Sequence, residues 1–274
     1  MKASLIITTY NWPEALALTL TSVLGQSQSG FEVIVADDGS QPATQQVVAR
    51  VLAPSGLPWR HVRHEDAGIR QARIKNLAVR HARGDYFIFI DHDVVLHRDF
   101  IGDHLAAAAP DCFLQGKRVF LSPEITARHM SQQVFSPPSF WTPRLGNRKN
   151  ALRAPALGKL LCRPKRFQIT LRGCNLSMSR VCFMAVDGFD EVFDGLWGRE
   201  DSDICYRLFN QGSRIKNLWL AGLQYHLHHK AIKRTQPDRL DEELDRCLKE
   251  KRITALRGFS AMSAEGGILA GSES

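Results

Sequence analysis

The chain alternates short strand-like runs with amphipathic stretches of helical period. Ser4-Leu-Ile-Ile-Thr8, Phe31-Glu-Val-Ile-Val35, Trp59-Arg-His-Val-Arg63 and Tyr86-Phe-Ile-Phe-Ile90 read as strands. The last has five consecutive apolar residues of aromatic and β-branched type, which suits a strand buried on both faces. Pro13 opens a helix whose apolar side is Leu16, Leu18, Leu20, Val23 and Leu24. Residues 42–52 form a second helix, ended by Pro54-Ser55-Gly56, and residues 68–82 a third, carrying Arg70, Arg73 and Asn76. A β-α-β-α-β-α-β order over the first hundred residues predicts an α/β, Rossmann-like, mostly parallel sheet flanked by helices.

Beyond residue 100 the pattern loosens. Leu114–Leu121 and Ile169–Ser179 are expected strands, and the stretch from Pro137 to Pro164 reads as loop-rich. A helix near Arg180–Val186 precedes a glycine-rich acidic loop, from which Ile204, Leu208 and Phe209 continue as an amphipathic helix. Ile215–Leu220 is strand-like, Lys233–Arg257 reads as a charged helix, and residues 260–274 are expected to fray. The expected organisation is one domain over 1–230 with a helical, partly disordered tail over 231–274. Residues 1–100 would form a nucleotide-binding half, and 101–230 a second half with a basic insertion at about 125–167.

Polar residues gather where the strands end. In an open parallel sheet, ligands sit outside the carboxyl ends of the strands. Asp91 and Asp93 follow the fourth strand at i, i+2, on one side of an extended backbone, and Asp37-Asp38-Gly-Ser40 follows the second. The chain lacks a Walker lysine and a Gly-x-Gly-x-x-Gly loop, so a bound Mn²⁺ or Mg²⁺ is expected to neutralise phosphates instead. His226, His228 and His229 offer imidazoles of the kind that bind Mn-like metals.

Charge adds a second feature. The net charge is +8, and between Glu124 and Asp187 eleven Lys or Arg residues occur without one acid. That points to an anionic partner: a phosphorylated acceptor, an acidic membrane surface or nucleic acid. The six cysteines show no Cys-x-x-Cys pair, which fits reduced thiols in a cytoplasm. No apolar run approaches the ~18 residues that span a bilayer, and the first apolar run is too short for a signal peptide. The expected location is cytoplasmic, with peripheral contact on the inner face of the cytoplasmic membrane.

Thr8-Thr-Tyr10-Asn11, Val35-Ala-Asp37-Asp38-Gly-Ser40, Gly68-Ile-Arg70…Arg73…Asn76 and Phe89-Ile-Asp91-His-Asp93 stand in the order found in family 2 glycosyltransferases of the GT-A fold, which the chain therefore resembles. Gly188-Phe-Asp190-Glu191 followed by Gly195-Leu-Trp197-Gly198-Arg199-Glu200-Asp201 resembles the motif of galactosyltransferase-type and chondroitin-polymerase-type enzymes. Leu196 departs from the pattern by separating Gly195 from Trp197. The resemblance implies that Asp38 accepts a hydrogen bond from uracil, with Thr8, Tyr10 and Asn11 at the base pocket. It implies Arg73 or Arg70 near the base or phosphates, Asp91 at the ribose, and Asp93 on a metal that bridges the diphosphate. A histidine, His226 or alternatively His228, would complete the metal shell. Asp201 would be the catalytic base, and Glu200 and Trp197 would lie at the acceptor sugar.

The implied activity is inverting, metal-dependent transfer of a hexose or N-acetylhexosamine from a UDP-sugar to a glycan or glycolipid, in bacterial polysaccharide or lipopolysaccharide synthesis. A sugar-nucleotide nucleotidyltransferase would want a glycine-rich basic loop where Thr9-Tyr-Asn-Trp-Pro13 stands. A nucleic-acid-binding protein would want an aromatic RNA-binding or helix-turn-helix pattern, and neither accompanies the charge.

Overall fold

A computed structural model describes residues 1–230 and 236–272. The first half runs β1 (Ala3–Thr9), α1 (Pro13–Leu24), β2 (Glu32–Asp37), α2 (Pro42–Leu52), β3 (Trp59–Arg63), α3 (Gln71–Arg80) and β4 (Tyr86–Asp91). The middle contains β5 (Val94–Leu96), α4 (Phe100–Ala107), β6 (Cys112–Gln115), β7 (Lys117–Phe120), α5 (Pro123–Gln132) and α6 (Pro155–Leu161). There follow β8 (Asn175–Ser179), α7 (Arg180–Ala185), α8 (Glu200–Asn210), β9 (Arg214–Asn217), β10 (Leu223–His226), α9 (Pro237–Lys249) and β11 (Gly267–Gly271).

Eight strands form one sheet in the order β11-β3-β2-β1-β4-β8-β6-β9. Its centre, β3-β2-β1-β4, is parallel, as the alternation predicts. Side chains alternate across it, as the two-residue period requires. Ile6, Ile34, Phe87 and Phe89 pack on one face with α3, α7 and α8, while Leu5, Ile7, Val33, Ile88 and Ile90 pack on the other with α1 and α2. A second, three-stranded sheet, β5-β10-β7, stands beside the carboxyl end of β4.

Three expected elements differ. The single strand expected over 114–121 is two strands in different sheets, and the chain switches between them at Gly116. A side chain there would stand 2.2 Å from the Asn175 amide, so only glycine permits the crossing. The strand expected from Ile169 begins only at Asn175, because residues 171–174 turn aside to line a cavity. The strand expected over 215–220 ends at Asn217, and β10 follows as a separate strand.

The tail also differs. The charged helix spans Pro237–Lys249 rather than reaching Arg257, and the expected start at 233–235 lies outside the described residues. The stretch expected to fray contains β11, which pairs antiparallel with β3 and completes the main sheet. Ser272 closes this pairing through a 3.0 Å N–H bond to the Trp59 carbonyl. Its apolar run, Ile268-Leu269-Ala270, is too short to carry a period, and its partner strand lies about two hundred residues upstream.

His104 ties α4 to β8. Its Nε2 lies 2.9 Å from Asn175 Oδ1 and its Nδ1 2.8 Å from Ser177 Oγ, which Tyr86 Oη approaches at 2.9 Å. The Asn175 amide nitrogen donates to the carbonyls of Lys117 and Gly222, so its oxygen is the acceptor and His104 carries its proton on Nε2. Burial holds the imidazole down at about 3, against the Asn175 hydrogen bond. The folded protein thus prefers neutral His104, whereas the unfolded chain takes up the proton first. Its contribution is complete above the ordinary value near 6.5 and is lost as pH falls toward 3. Between about pH 6 and 4, His104 should steepen the loss of stability by about 1.4 kcal/mol per pH unit, equivalent to one proton. Urea titrations of His104→Gln should show a slope lower by that amount; an unchanged slope would refute the assignment.

Candidate active site

The parallel register brings the polar strand ends together. Thr8 pairs with Asp91 across β1 and β4, and Thr9 with Asp37 across β1 and β2. Asp37 pins its turn, accepting from Ser40 N–H at 2.7 Å and lying 2.8 Å from His61 Nε2. Burial would raise its pKa, but the His61 and Ser40 contacts hold it below the ordinary value. Asp38 accepts from the backbone N–H of Arg70 at 3.1 Å and lies 2.6 Å from His64 Nε2. Two hydrogen bonds leave acceptor capacity on this carboxylate, which has about four lone-pair sites.

The loop after β1 faces the same place. Tyr10, exposed at the rim, donates to Asp66 at 3.0 Å. Asn11 accepts from Gln41 N–H at 2.7 Å while its own N–H donates to Ser40 Oγ at 3.0 Å. The buried hydroxyls of Thr8 and Thr9 have no hydrogen-bond partner among the described residues. Thr8, Tyr10, Asn11 and Asp38 therefore lie about the same strand ends.

The two arginines are differently placed. Arg70 bonds the Glu65 carbonyl and reaches Glu265 at 3.0 Å. Arg73 is buried and donates to Ser263 Oγ at 2.7 Å and the Glu265 carbonyl at 3.0 Å, with Glu191 at 3.5 Å. The structure thus engages Arg73 with the C-terminal segment. Lys75, two positions on and hence on another helix face, is the α3 cation that lines the cavity beside Asp201. Sequence reasoning missed it, although Gln71 and Lys75, at i and i+4, both line that cavity.

That cavity has a volume of about 330 Å³ and brings Asp91, Trp197, Glu200 and Asp201 together. Gly198 and Arg199, both at positive φ, turn the chain sharply into α8, whose first residues are Glu200 and Asp201. Asp201 Oδ2 accepts from Gly173 N–H at 2.6 Å and Oδ1 from Ser202 N–H at 2.7 Å. A side chain on residue 173 would come within 2.9 Å of Asp201 Cβ, so glycine is needed for this approach. Lys75 donates to Glu200 at 2.8 Å. Burial would lower the Lys75 pKa, but Glu200 and Asp91 raise it above the ordinary value. Burial and then Glu200 raise Asp201, against Lys75 and the two backbone N–H groups. Burial and then Asp93 push Asp91 up to about 7, while Lys75 pulls it down. Arg118, stacked 4.6 Å from the Phe120 ring centre, and Arg172 add two further cations that the sequence reading did not single out.

Asp93 has its own partners. Its Oδ2 lies 3.3 Å from His226 Nε2 and 3.0 Å from His229 Nε2. Donor atoms from these three residues fall within 4.8 Å of one another. His226 was the first choice from sequence; the alternative, His228, is exposed, and His229 takes that place. The alternation that carries His226 inward is broken after Leu227, whose N–H bonds the Asp93 carbonyl at 2.9 Å.

The donor set fits a divalent cation. Asp93 Oδ1 is buried without a hydrogen-bond partner. His229 Nδ1 lies 2.9 Å from the Lys230 carbonyl, which fixes the proton there and points Nε2 at the cluster. Burial would raise Asp93, but His229 and then His226 hold it below the ordinary value. One carboxylate with two imidazoles suits Mn²⁺ better than Mg²⁺, which favours all-oxygen shells.

Residues 4–164 match glycosyl transferase family 2, so the chain belongs to that family. Residues 159–230 match the N-terminal domain of galactosyltransferase. The chain is 29% identical over 235 residues to a hyaluronan synthase of Pasteurella multocida, covering 78% of this chain and 23% of that protein. It thus spans about a quarter of that relative's length. Among solved structures it resembles S. aureus TarS 1-349 in complex with UDP-GlcNAc, with a TM-score of 0.67 at 19% identity over 92% of this chain and 66% of that one. It also resembles the mannosyltransferase PcManGT from Pyrobaculum calidifontis in complex with GDP-Man and Mn²⁺, with a TM-score of 0.58 at 20% identity over 83% and 57%. The fold is GT-A.

The cluster can be tested without turnover. Titration of the metal-free protein with Mn²⁺, read by calorimetry, should give one site. Asp93→Ala and His229→Ala should each weaken it more than about tenfold, in line with losses on disturbing metal shells. His228→Ala should leave it within about twofold, and equal effects at positions 228 and 229 would refute the His229 assignment.

Proposed function

We propose that the chain is an inverting, Mn²⁺-dependent glycosyltransferase. It moves a hexose or N-acetylhexosamine from a UDP-sugar to a hydroxyl of a glycan or glycolipid in bacterial cell-surface polysaccharide or lipopolysaccharide synthesis. The observation that carries this reading is the Asp201 carboxylate, held by two backbone N–H groups in the same cavity as Asp91, Trp197 and Glu200. Family membership and a neighbour in complex with UDP-GlcNAc support the donor class.

Asp38 accepts from the uracil ring, and Thr8, Tyr10 and Asn11 enclose the base; the unpartnered Thr8 and Thr9 hydroxyls are available to the nucleoside. Arg70 lies on this side, and Asp91 addresses the ribose. Asp93, His226 and His229 would hold the cation, and the chemistry it would supply is Lewis acidity toward the leaving diphosphate. Lys75 and Arg118 add positive charge within the cavity of Asp91 and Asp201.

Trp197 and Glu200 position the acceptor sugar. Asp201 takes the proton from its hydroxyl as general base, and its raised pKa moves it closer to the working pH. The hydroxyl attacks the anomeric carbon opposite the leaving group. One displacement inverts the configuration, with no covalent enzyme intermediate.

Asp201→Asn retains size and polarity but cannot take the proton. Transfer should fall by about 10²–10⁴-fold. UDP-sugar affinity should change by less than about threefold, roughly 0.7 kcal/mol. Single-turnover transfer and donor calorimetry on one preparation check both; near-normal transfer, or lost donor binding in a folded protein, would overturn the role.

A further inference from the structure

Not all eleven cations of the basic stretch are alike. Arg144 pairs with Glu124, Arg153 with Asp99 and Asp103, and Arg180 donates to the carbonyls of Ala82 and Gly84. Lys149, Lys165 and Arg172 instead gather about Lys117 of β7. Among the described residues none of these four forms an ion pair with a carboxylate. Lys117 Nζ lies 4.6 Å from the Trp219 ring centre and 3.4 Å from Asn217 Oδ1. Burial, and then the charges of Arg172, Lys165 and Lys149, hold its ammonium below the ordinary value. Lys117 and Arg172 are partly buried, Lys149 and Lys165 are exposed, and like charges gathered about a partly buried ammonium without a counter-ion are relieved by binding an anion.

The backbone that carries Lys165 is held against β9 by two hydrogen bonds with Ile215, at 2.8 and 2.9 Å. Lys117, Lys165, Arg172, Asn217 and Trp219 line a hollow of about 280 Å³. Arg172 also lines the catalytic cavity and directly precedes Gly173, whose N–H holds Asp201. On the far side, Lys117 and Trp219 border an apolar hollow of about 200 Å³ with Leu152, Leu161, Leu218 and Leu223. Candidate base, cations and apolar hollow thus follow one another along the surface.

We propose that Lys117, Lys165 and Arg172 form a subsite for a phosphate or diphosphate ester carried by the acceptor, and that the apolar hollow beside Trp219 takes the alkyl chain of that ester. The acceptor is then a lipid phosphate whose glycan reaches Asp201. The word acceptor rests on the glycosyltransferase reading, whereas the binding site itself does not. A lipid-linked and a free phosphate share the charged group and differ in the chain, so both are tested.

Calorimetry on the full chain, metal-free, uses dihexanoyl phosphatidic acid below its micellar concentration, glycerol phosphate and dihexanoyl phosphatidylcholine. Phosphatidic acid should bind at least about tenfold tighter than either other probe. The double variant Lys117→Gln/Lys165→Gln should weaken it at least about tenfold, and raised salt should weaken it in the wild type. Mn²⁺-dependent UDP affinity, measured on the same preparations, should be equal in both, which certifies the fold of the variant. Equal phosphatidic acid binding by both proteins, or none by the wild type, overturns the subsite. Glycerol phosphate binding as tightly as phosphatidic acid overturns the lipid assignment. Absence of UDP binding by the wild type would instead count against the glycosyltransferase reading alone.

Discussion

The site hangs on the parallel pairing of β1 with β2 and β4. Because the three strands run in register, they end at one level, and whatever polar residues follow them face one space. Both faces of these strands are covered by apolar packing, so among the described residues polar chemistry in the centre of the sheet gathers at the strand ends. Glu32 shows how firmly this register is held. It is buried, accepts from Ser4 Oγ at 2.6 Å and Gly84 N–H at 2.9 Å, and pairs with Arg60 at 2.8 Å. A slip of one residue would break that network and turn the core residues outward.

Such an arrangement crowds carboxylates, and the cavity depends on what balances them. Asp91, Glu200 and Asp201 share the cavity with Lys75, buried and 2.8 Å from Glu200. Asp93 is served separately, by His226 and His229. The acids thus divide into a lysine-balanced set and an imidazole-balanced set. One suits proton transfer and the other metal ligation, although Asp91 and Asp93 lie two residues apart.

The sequence revealed the strand ends because apolar runs stopped at carboxylates, and a periodicity of two or 3.6 is local. It also placed Asp91, Trp197, Glu200 and Asp201, which the structure gathers in one cavity. It did not single out Lys75 beside Arg73, because a helical string does not announce which face meets which cavity. Residues Asn76 and Asp190, prominent in the resemblance, serve the scaffold. Asn76 exchanges two hydrogen bonds with the Phe189 backbone, at 2.8 and 2.9 Å, and Asp190 accepts from Leu256 N–H at 2.7 Å. The strand at 267–271, the sheet switch at Gly116 and the choice of His229 depend on partners far along the chain, and no local pattern carries them.

The strand contributed from near the C-terminus has a consequence for how copies of this chain meet. Without it, β3 would present an open row of backbone donors and acceptors, a template for sheet-to-sheet stacking. β11 occupies that row, and its own pairing is interrupted by a register shift between Ile268 and Ala270. Edges that are kinked and short make poor templates. β11 therefore covers a strand edge that would otherwise be open to pairing, while Arg73 and Arg80 hold the chain just before it at Met262, Ser263 and Glu265.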